Sequence, residues 1–225
     1  MDREPIAEGA RGIAGRIREE IVDGRLFPNE RLVEEELAKR FGVNRATIRV
    51  ALTILEQQGL VTRQRHRGAS VRAVTDREAV EIFEIRSMLE SLIARHAAMN
   101  ATRENIRRLR RLHAELSELL AGGKLAEYQA LNVELHAEIV RIAQHPSVAN
   151  ILQELHSQTV AFQYRPILEP GRAMAINKEH KTLIEALSRK DPDAAEAAMR
   201  RHLDNAVAAL RQAIAARRSR LDRTG

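Results

Sequence analysis

The 225-residue chain has no cysteine and no tryptophan, and aromatic residues make up only 3% of it. Without cysteine there are no disulfides, no thiolate nucleophiles and no zinc–thiolate sites, and a reducing compartment suits the chain. So few aromatics argue against a large β-sandwich. Charges interrupt every apolar stretch well short of the ~18 residues that a membrane span requires. The opening MDREPIAEG carries acidic residues and no apolar centre, so it does not read as a secretory signal. The expectation is a soluble cytoplasmic protein with no membrane partner. What is present is 44% hydrophobic and 30% charged residues, dominated by helix formers. At ~150 residues per domain this length gives one or two domains. The net charge of +6 permits a polyanionic partner without requiring one.

The first 73 residues differ in texture from the rest. Ile13, Ile17, Ile21 and Val22 recur at helical spacing, and Gly24 follows where a C-cap would sit. A turn at Pro28-Asn29 precedes a short helix over Val33–Phe41, ended by Gly42. Asn44 is a good N-cap for a third helix with Ile48, Ala51, Leu52 and Leu55 on one stripe. Leu60-Val61 and Ala69-Ser70-Val71 then read as two short strands joined by a basic turn. After a short linker around Ala73–Asp76 the periodicity is helical throughout. The Thr75-x-x-Glu78 capping box opens a helix to Met99, and Thr102 caps a second that ends at Gly122-Gly123. Further helices are expected over Lys124–Ala143, Ser147–Tyr164, Arg172–Arg189 and Pro192–Arg217. The fold class is therefore mainly α: a winged helix-turn-helix over 1–73, an all-helical six-helix bundle over 76–217, and a basic tail over 218–225.

The N-terminal unit concentrates charge. Lys39, Arg40, Arg45, Arg49, Arg63, Arg65, Arg67 and Arg72 are accompanied by one acid, Glu56, over that span. Such a patch releases counterions from DNA. Arg45 and Arg49 share one face at the start of the third helix, the part of this motif that enters the major groove. Arginine can take guanine O6 and N7 together, and Thr47 can reach a phosphate or base edge. Arg63, Arg65, His66 and Arg67 on the wing suit the DNA backbone or minor groove. The pattern I-V-D-G-R-L-F-P, R-L-V-E-E-E-L-A, F-G-V-N-R-A-T-I-R-V-A-L and G-L-V, with a wing glycine, resembles the winged-helix domain of the GntR family of bacterial transcription regulators over residues 13–73. The resemblance implies DNA contacts at Arg31, Arg45, Thr47, Arg49 and the wing around His66–Gly68. Val50 departs from it, standing where the family usually has glutamate.

The helical unit holds seven of the eight histidines. Asn132 and His136 lie four apart on one helix face, with His180 and His202 on two later helices. Three imidazoles and an oxygen inside a bundle suit a divalent cation such as zinc, nickel or manganese. LNVELHAEIV, NKEHKTLIEAL and MRRHLDNA are similar to segments of the FCD domain found in the FadR-like subgroup of GntR regulators. That resemblance implies a metal site at Asn132, His136, His180 and His202, with Asn132 in place of the usual aspartate. His96, His113 and His145 read as surface or hydrogen-bonded histidines; His156 is a weaker candidate for the same cavity. Arg86 either grips an effector carboxylate or pairs with Glu90 one turn on.

The leading expectation is a homodimeric repressor-type regulator that binds a palindromic double-stranded DNA operator and responds to a small organic acid. The alternative is a metal-dependent hydrolase built on the three histidines. No HExxH, nucleophile elbow or phosphate loop supports a catalytic reading, and no catalytic residue is assigned.

Overall fold

The computed structural model describes residues 3–22, 24–64, 68–158 and 171–221, and the chain falls into two compact units, the first running to Thr75 and taking in a short segment from His156, the second beginning at Asp76. The mainly helical expectation holds in both. The first unit contains α1 (Arg3–Val22), β1 (Arg31–Leu32), α2 (Glu34–Phe41), α3 (Arg45–Gln57), β2 (Val61–Gln64) and β3 (Gly68–Val71). α2 stops because Gly42 adopts φ +67°, a left-handed cap that only glycine enters without strain. α3 starts two residues later. The Asn44 side chain accepts the Thr47 backbone N–H at 2.8 Å, satisfying one of the helix's orphan donors. This pair of caps sets the sharp turn between α2 and α3. Ile17, Ile48, Leu52 and Leu55 are fully buried in its core.

The wing has one strand more than the sequence pattern indicates. The sheet order is β1-β3-β2, all antiparallel, with Arg31 opposite Ser70 and Leu32 opposite Ala69. A two-residue strand has no periodicity to read, and its partner lies almost forty residues on. The pairing fixes Arg31 at the edge of the wing, exposed beside buried Leu32.

The second unit is helical: α4 (Asp76–Asn100), α5 (Arg103–Ala121), α6 (Leu125–Ala143), α7 (Pro146–Gln158), α8 (Arg172–Ser188) and α9 (Pro192–Leu221). Thr102 and Asn105 cap α5 reciprocally, as a capping box. Asp191 accepts the Ala194 N–H at 3.0 Å, and Pro192 opens α9. α4 and α9 pack along their length through small residues such as Ala94, Ala97, Ala195 and Ala198, all buried. The core is completed by Leu109, Leu116, Tyr128, Leu135, Ile139, Leu183 and Leu187. α9 continues to Leu221, past the expected stop at Arg217. The end of the fourth expected helix, 159–164, lies outside the described residues. No described helix is long and apolar enough to cross a membrane.

Candidate nucleic-acid interface and metal centre

The α3 N-terminus carries the exposed arginines. Arg45 and Arg49 are both exposed, one turn apart, and both face Glu34 at the start of α2. Arg49 holds the Glu34 carboxylate with two donors, Nη2 at 3.0 Å and Nε at 3.3 Å, and Arg45 stands 3.8 Å away. The hydrogen bond from Arg49 pulls the Glu34 carboxyl below its ordinary range. Arg63 reaches from β2 to donate to the Arg49 carbonyl at 2.8 Å. A groove of about 400 Å³ opens here, lined by Arg31, Glu34, Glu35, Arg45, Arg63 and Gly68 among others. Gly68 sits at φ +81° where the wing strand begins, a conformation closed to a β-branched side chain.

One expected contact is corrected. Thr47 is 5% exposed, and its hydroxyl donates to Asn44 Oδ1 at 3.1 Å. It belongs to the helix cap and does not stand on the exposed face with the arginines. Arg65 and His66 lie outside the described residues, as does Arg67. Glu34 was not expected. Its sequence position gave no sign that it would pair with two exposed arginines across the turn.

Glu34 allows a direct check on how this face is tuned. Glu34→Gln removes an acid from between the arginines, so affinity for random-sequence duplex DNA should rise severalfold and its salt slope should steepen. Fluorescence-anisotropy titrations at several salt concentrations measure both.

In the helical unit, His136 from α6, His180 from α8 and His202 from α9 are buried together, each with a ring nitrogen within 4.8 Å of the others. Two of the rings are oriented by carboxylates. His136 Nδ1 donates to Glu90 at 2.9 Å, and His202 Nδ1 donates to Glu179 at 2.7 Å. This fixes their tautomers and leaves Nε2 of each as a lone-pair donor. His180 is fully buried, and among the described residues neither of its ring nitrogens has a partner. Burial holds its pKa well below the ordinary histidine value, so it is neutral and ligand-ready at neutral pH. Asn132 Oδ1 is likewise buried without a partner. Unpaired buried polar atoms are rare and costly. Here three of them belong to two of the four residues whose types suit a divalent cation, so the donor set fits the metal.

The two carboxylates are each matched to a buried guanidinium. Arg86 donates Nε to Glu90 at 2.9 Å, which is the intrahelical pairing weighed above as the alternative to effector binding. Arg172 holds Glu179 with two donors, at 2.6 and 3.0 Å. Burial alone would raise the Glu179 carboxyl, but the hydrogen bonds from His202 and Arg172 outweigh it and hold it at about 2. Arg86 Nη1 and Arg172 Nε are buried with no acceptor among the described residues. Glu90 was expected only as a partner of Arg86; its hold on His136, the hold of Glu179 on His202 and the clamp of Arg172 on Glu179 were missed because the partners lie on different helices or two turns apart.

The other histidines follow the plainer reading. His113 Nε2 donates to the Asn177 carbonyl at 2.9 Å, and His96 and His145 form an edge-to-face ring pair at 4.9 Å. His156 is not part of the three-histidine group.

Comparison with known proteins places this geometry. Residues 10–71 match the model of bacterial regulatory proteins of the gntR family, and residues 81–205 match the FCD domain. The HTH-type transcriptional regulator YdhC of Bacillus subtilis is 27% identical over 190 residues, covering 84% of this chain and 85% of that one. A probable D-xylose utilization operon transcriptional repressor of Paenarthrobacter nicotinovorans is 27% identical over 195 residues, with 85% of each covered. Among solved structures, E. coli McbR/YncC superposes with a TM-score of 0.75 at 20% identity, covering 91% of this chain and 97% of that one; this likeness concerns fold. The relatives are transcription regulators, and the hydrolase alternative is set aside.

Proposed function

Because the chain belongs to the gntR family of bacterial regulatory proteins, with an FCD domain as its C-terminal part, and is a DNA-binding transcription regulator, we propose that it is a cytoplasmic, homodimeric repressor released or engaged by a small organic acid that binds at a metal-containing cavity of the helical domain. The observation that carries this reading is the buried trio His136, His180 and His202, with Asn132 Oδ1 buried and unpaired one turn before His136 on α6. His136 and His202 would bind through Nε2, His180 through one ring nitrogen, and Asn132 through its amide oxygen. A bound divalent cation would supply positive charge that no protein carboxylate ligand offsets. The Arg86–Glu90 and Arg172–Glu179 pairs are already neutral within themselves. An anionic effector then completes the charge, with the free Nη1 of Arg86 as a further donor to its carboxylate. The effector would shift the population between DNA-competent and incompetent states.

Arg31, Arg45, Arg49, Arg63, Arg65, His66 and Gly68 remain the proposed DNA contacts. Arg49→Ala should weaken a site selected from a random duplex pool by about 1–3 kcal/mol and relax one base pair per half-site. Arg65→Ala should weaken all sequences alike and lower the salt slope by roughly one. Wild-type binding by both variants would remove the DNA face from this surface.

For the dimer, α4 carries a partly exposed apolar stripe, on which Arg200 of α9 donates to Met88 Sδ and Leu92 leans on the core. Ile85, Met88, Leu92 and Met99 are spaced three, four and seven apart, so they share one face of α4. Ile85, Met88 and Met99 are 49%, 58% and 47% exposed, whereas Ile82, Phe83, Ser87, Ala94 and Ala98 of the same helix are buried. This heptad-like spacing suits the same stripe of a second copy across a twofold axis. The protein should sediment at about twice 25.4 kDa. A double substitution of Ile85 and Met88 by glutamate should give a folded monomer that binds a palindromic site weakly. A dimeric double variant would move the interface elsewhere.

A further inference from the structure

The outward face of α3 holds a side chain that the arginine contacts leave unused. Arg45, Ala46, Arg49 and Val50 are exposed, whereas Thr47, Ile48, Ala51 and Leu52 are buried. At about 100° per residue, Ala46 and Val50 follow one another along this face, beside the row of Arg45 and Arg49. Val50 is 38% exposed. A single exposed valine is ordinary on most surfaces. Its neighbours make this one informative, through what they have left to offer DNA.

The acceptor oxygens around it are engaged. Asn44 Oδ1 takes the Thr47 backbone N–H and hydroxyl, at 2.8 and 3.1 Å. The Glu34 carboxylate is held by Arg49 at 3.0 and 3.3 Å. The Arg49 carbonyl takes the Thr53 hydroxyl at 2.9 Å and Arg63 Nη2 at 2.8 Å. What Arg45, Ala46, Arg49 and Val50 present outward is therefore guanidinium donors and methyl groups.

The donors match acceptor atoms of base edges and phosphates. The methyls of Val50 match one group in the major groove, the C5-methyl of thymine. A phosphate does not suit them, because valine would strip water from the charge and return no hydrogen bond. Valine is also short. It cannot reach away from the helix as arginine does, so it touches only what the helix itself lies against. Val50 follows Arg49 with a rise of ~1.5 Å, less than the ~3.4 Å between base pairs. We propose that Val50 is a specificity-determining residue of DNA readout and packs on the C5-methyl of a thymine, within about two base pairs of the base that Arg49 reads. This rests on the reading of α3 as the helix that enters the major groove. It adds an uncharged contact to the arginines. A glutamate in this position would instead accept from cytosine N4, so the valine changes which base is favoured.

The probe is a duplex selected by the full chain from a random pool. Each thymine of the selected site is replaced in turn by uracil, which keeps the base pair and the O4 acceptor and removes only the methyl. One such replacement per half-site should weaken wild type about threefold to fivefold, the effect of one buried methyl group. The factor should be the same at low and high salt, because the contact releases no counterion. Val50→Ala should bind the thymine and uracil duplexes alike. Its melting temperature should stay close to wild type, since the side chain lies outside the core. A second pair of duplexes places 5-methylcytosine or cytosine, opposite guanine, at the same position. Wild type should favour the methylated base by a similar factor, and Val50→Ala should not. If no uracil replacement weakens wild type, or if the penalty survives in Val50→Ala, the role of Val50 is overturned; loss of affinity in Arg49→Ala then leaves the reading of α3 standing. If Arg45→Ala and Arg49→Ala both bind the selected duplex as wild type does, α3 is not the reading helix and Val50 loses its role with it.

Discussion

His180→Ala should abolish metal retention while leaving the fold and DNA binding close to wild type. Among the described residues, His180 is the one ring of the trio with no carboxylate behind it and no hydrogen bond to either nitrogen. In the metal-free protein it contributes apolar contacts but leaves two buried polar atoms unpaired, so its loss exchanges a small cavity for the relief of that penalty. The metal-free melting temperatures should therefore lie within a few degrees of each other. The difference appears on adding metal. A ligand at a hundredfold excess over its Kd stabilises by about 2.7 kcal/mol. For a domain of this size each kcal/mol moves the midpoint by about 2–4 °C. Wild type should thus gain roughly 5–11 °C with zinc, and His180→Ala should gain nothing. Glu179→Gln should fall between, because it weakens the orientation of His202 without removing a ligand. Loss of an outer-shell partner of this kind typically costs 10–100-fold in metal affinity. Elemental analysis after desalting reads retention directly. A His180→Ala protein that keeps a stoichiometric metal, or a wild type that shows no metal-dependent shift, would remove the centre from these histidines.

What the sequence makes legible here is local. The Asn44 cap, the Gly42 stop and the apolar stripe of α3 act within a few residues of one another, and the helix-turn-helix follows from them. Thr47 sits three residues after the Asn44 cap, where its N–H is the group the cap receives, but its burial depends on packing that the local pattern does not carry. The third strand was illegible because two residues carry no period and their partner strand is remote in sequence. The overrun of α9 to Leu221 was legible and misread. No glycine or proline interrupts 217–221, and charge alone does not end a helix.

The site divides in the same way. The three histidines and Asn132 stood out through family-like segments. Their supporting carboxylates did not, since Glu90 serves a ring 46 residues away and Glu179 serves one 23 residues away. Glu179 is the instructive case. It directly precedes His180 yet points to His202, because adjacent helical residues face directions about 100° apart. Arg172, seven residues before Glu179, stands about two turns away on nearly the same face and clamps it from there.

Asn132→Asp should raise metal affinity and weaken the dependence of metal binding on the effector. Asn132 offers a neutral amide oxygen, unpaired and buried, where the carboxylate of an aspartate would place a negative charge on the cation. With three neutral imidazoles and a neutral amide, a divalent ion keeps its whole charge inside the bundle. The two buried glutamates do not relieve this, because each is already matched by its own arginine. Such a centre holds metal less tightly than one with an anionic oxygen ligand, since borderline and hard cations gain affinity from anionic oxygens. It also gains more from an anionic effector, which supplies the missing charge. Metal and organic acid should therefore bind with positive coupling in wild type, each tightening the other by the same factor. The aspartate variant supplies that charge from the protein. Its metal affinity should rise by at least about tenfold, or about 1.4 kcal/mol. The factor by which the acid tightens the metal should fall by a comparable amount. Calorimetric titration of zinc into wild type and variant, with and without saturating acid, gives all four affinities in one cycle. Equal zinc affinity of wild type with and without the acid would sink the coupling. An aspartate variant no tighter than wild type would show that Asn132 is not a ligand.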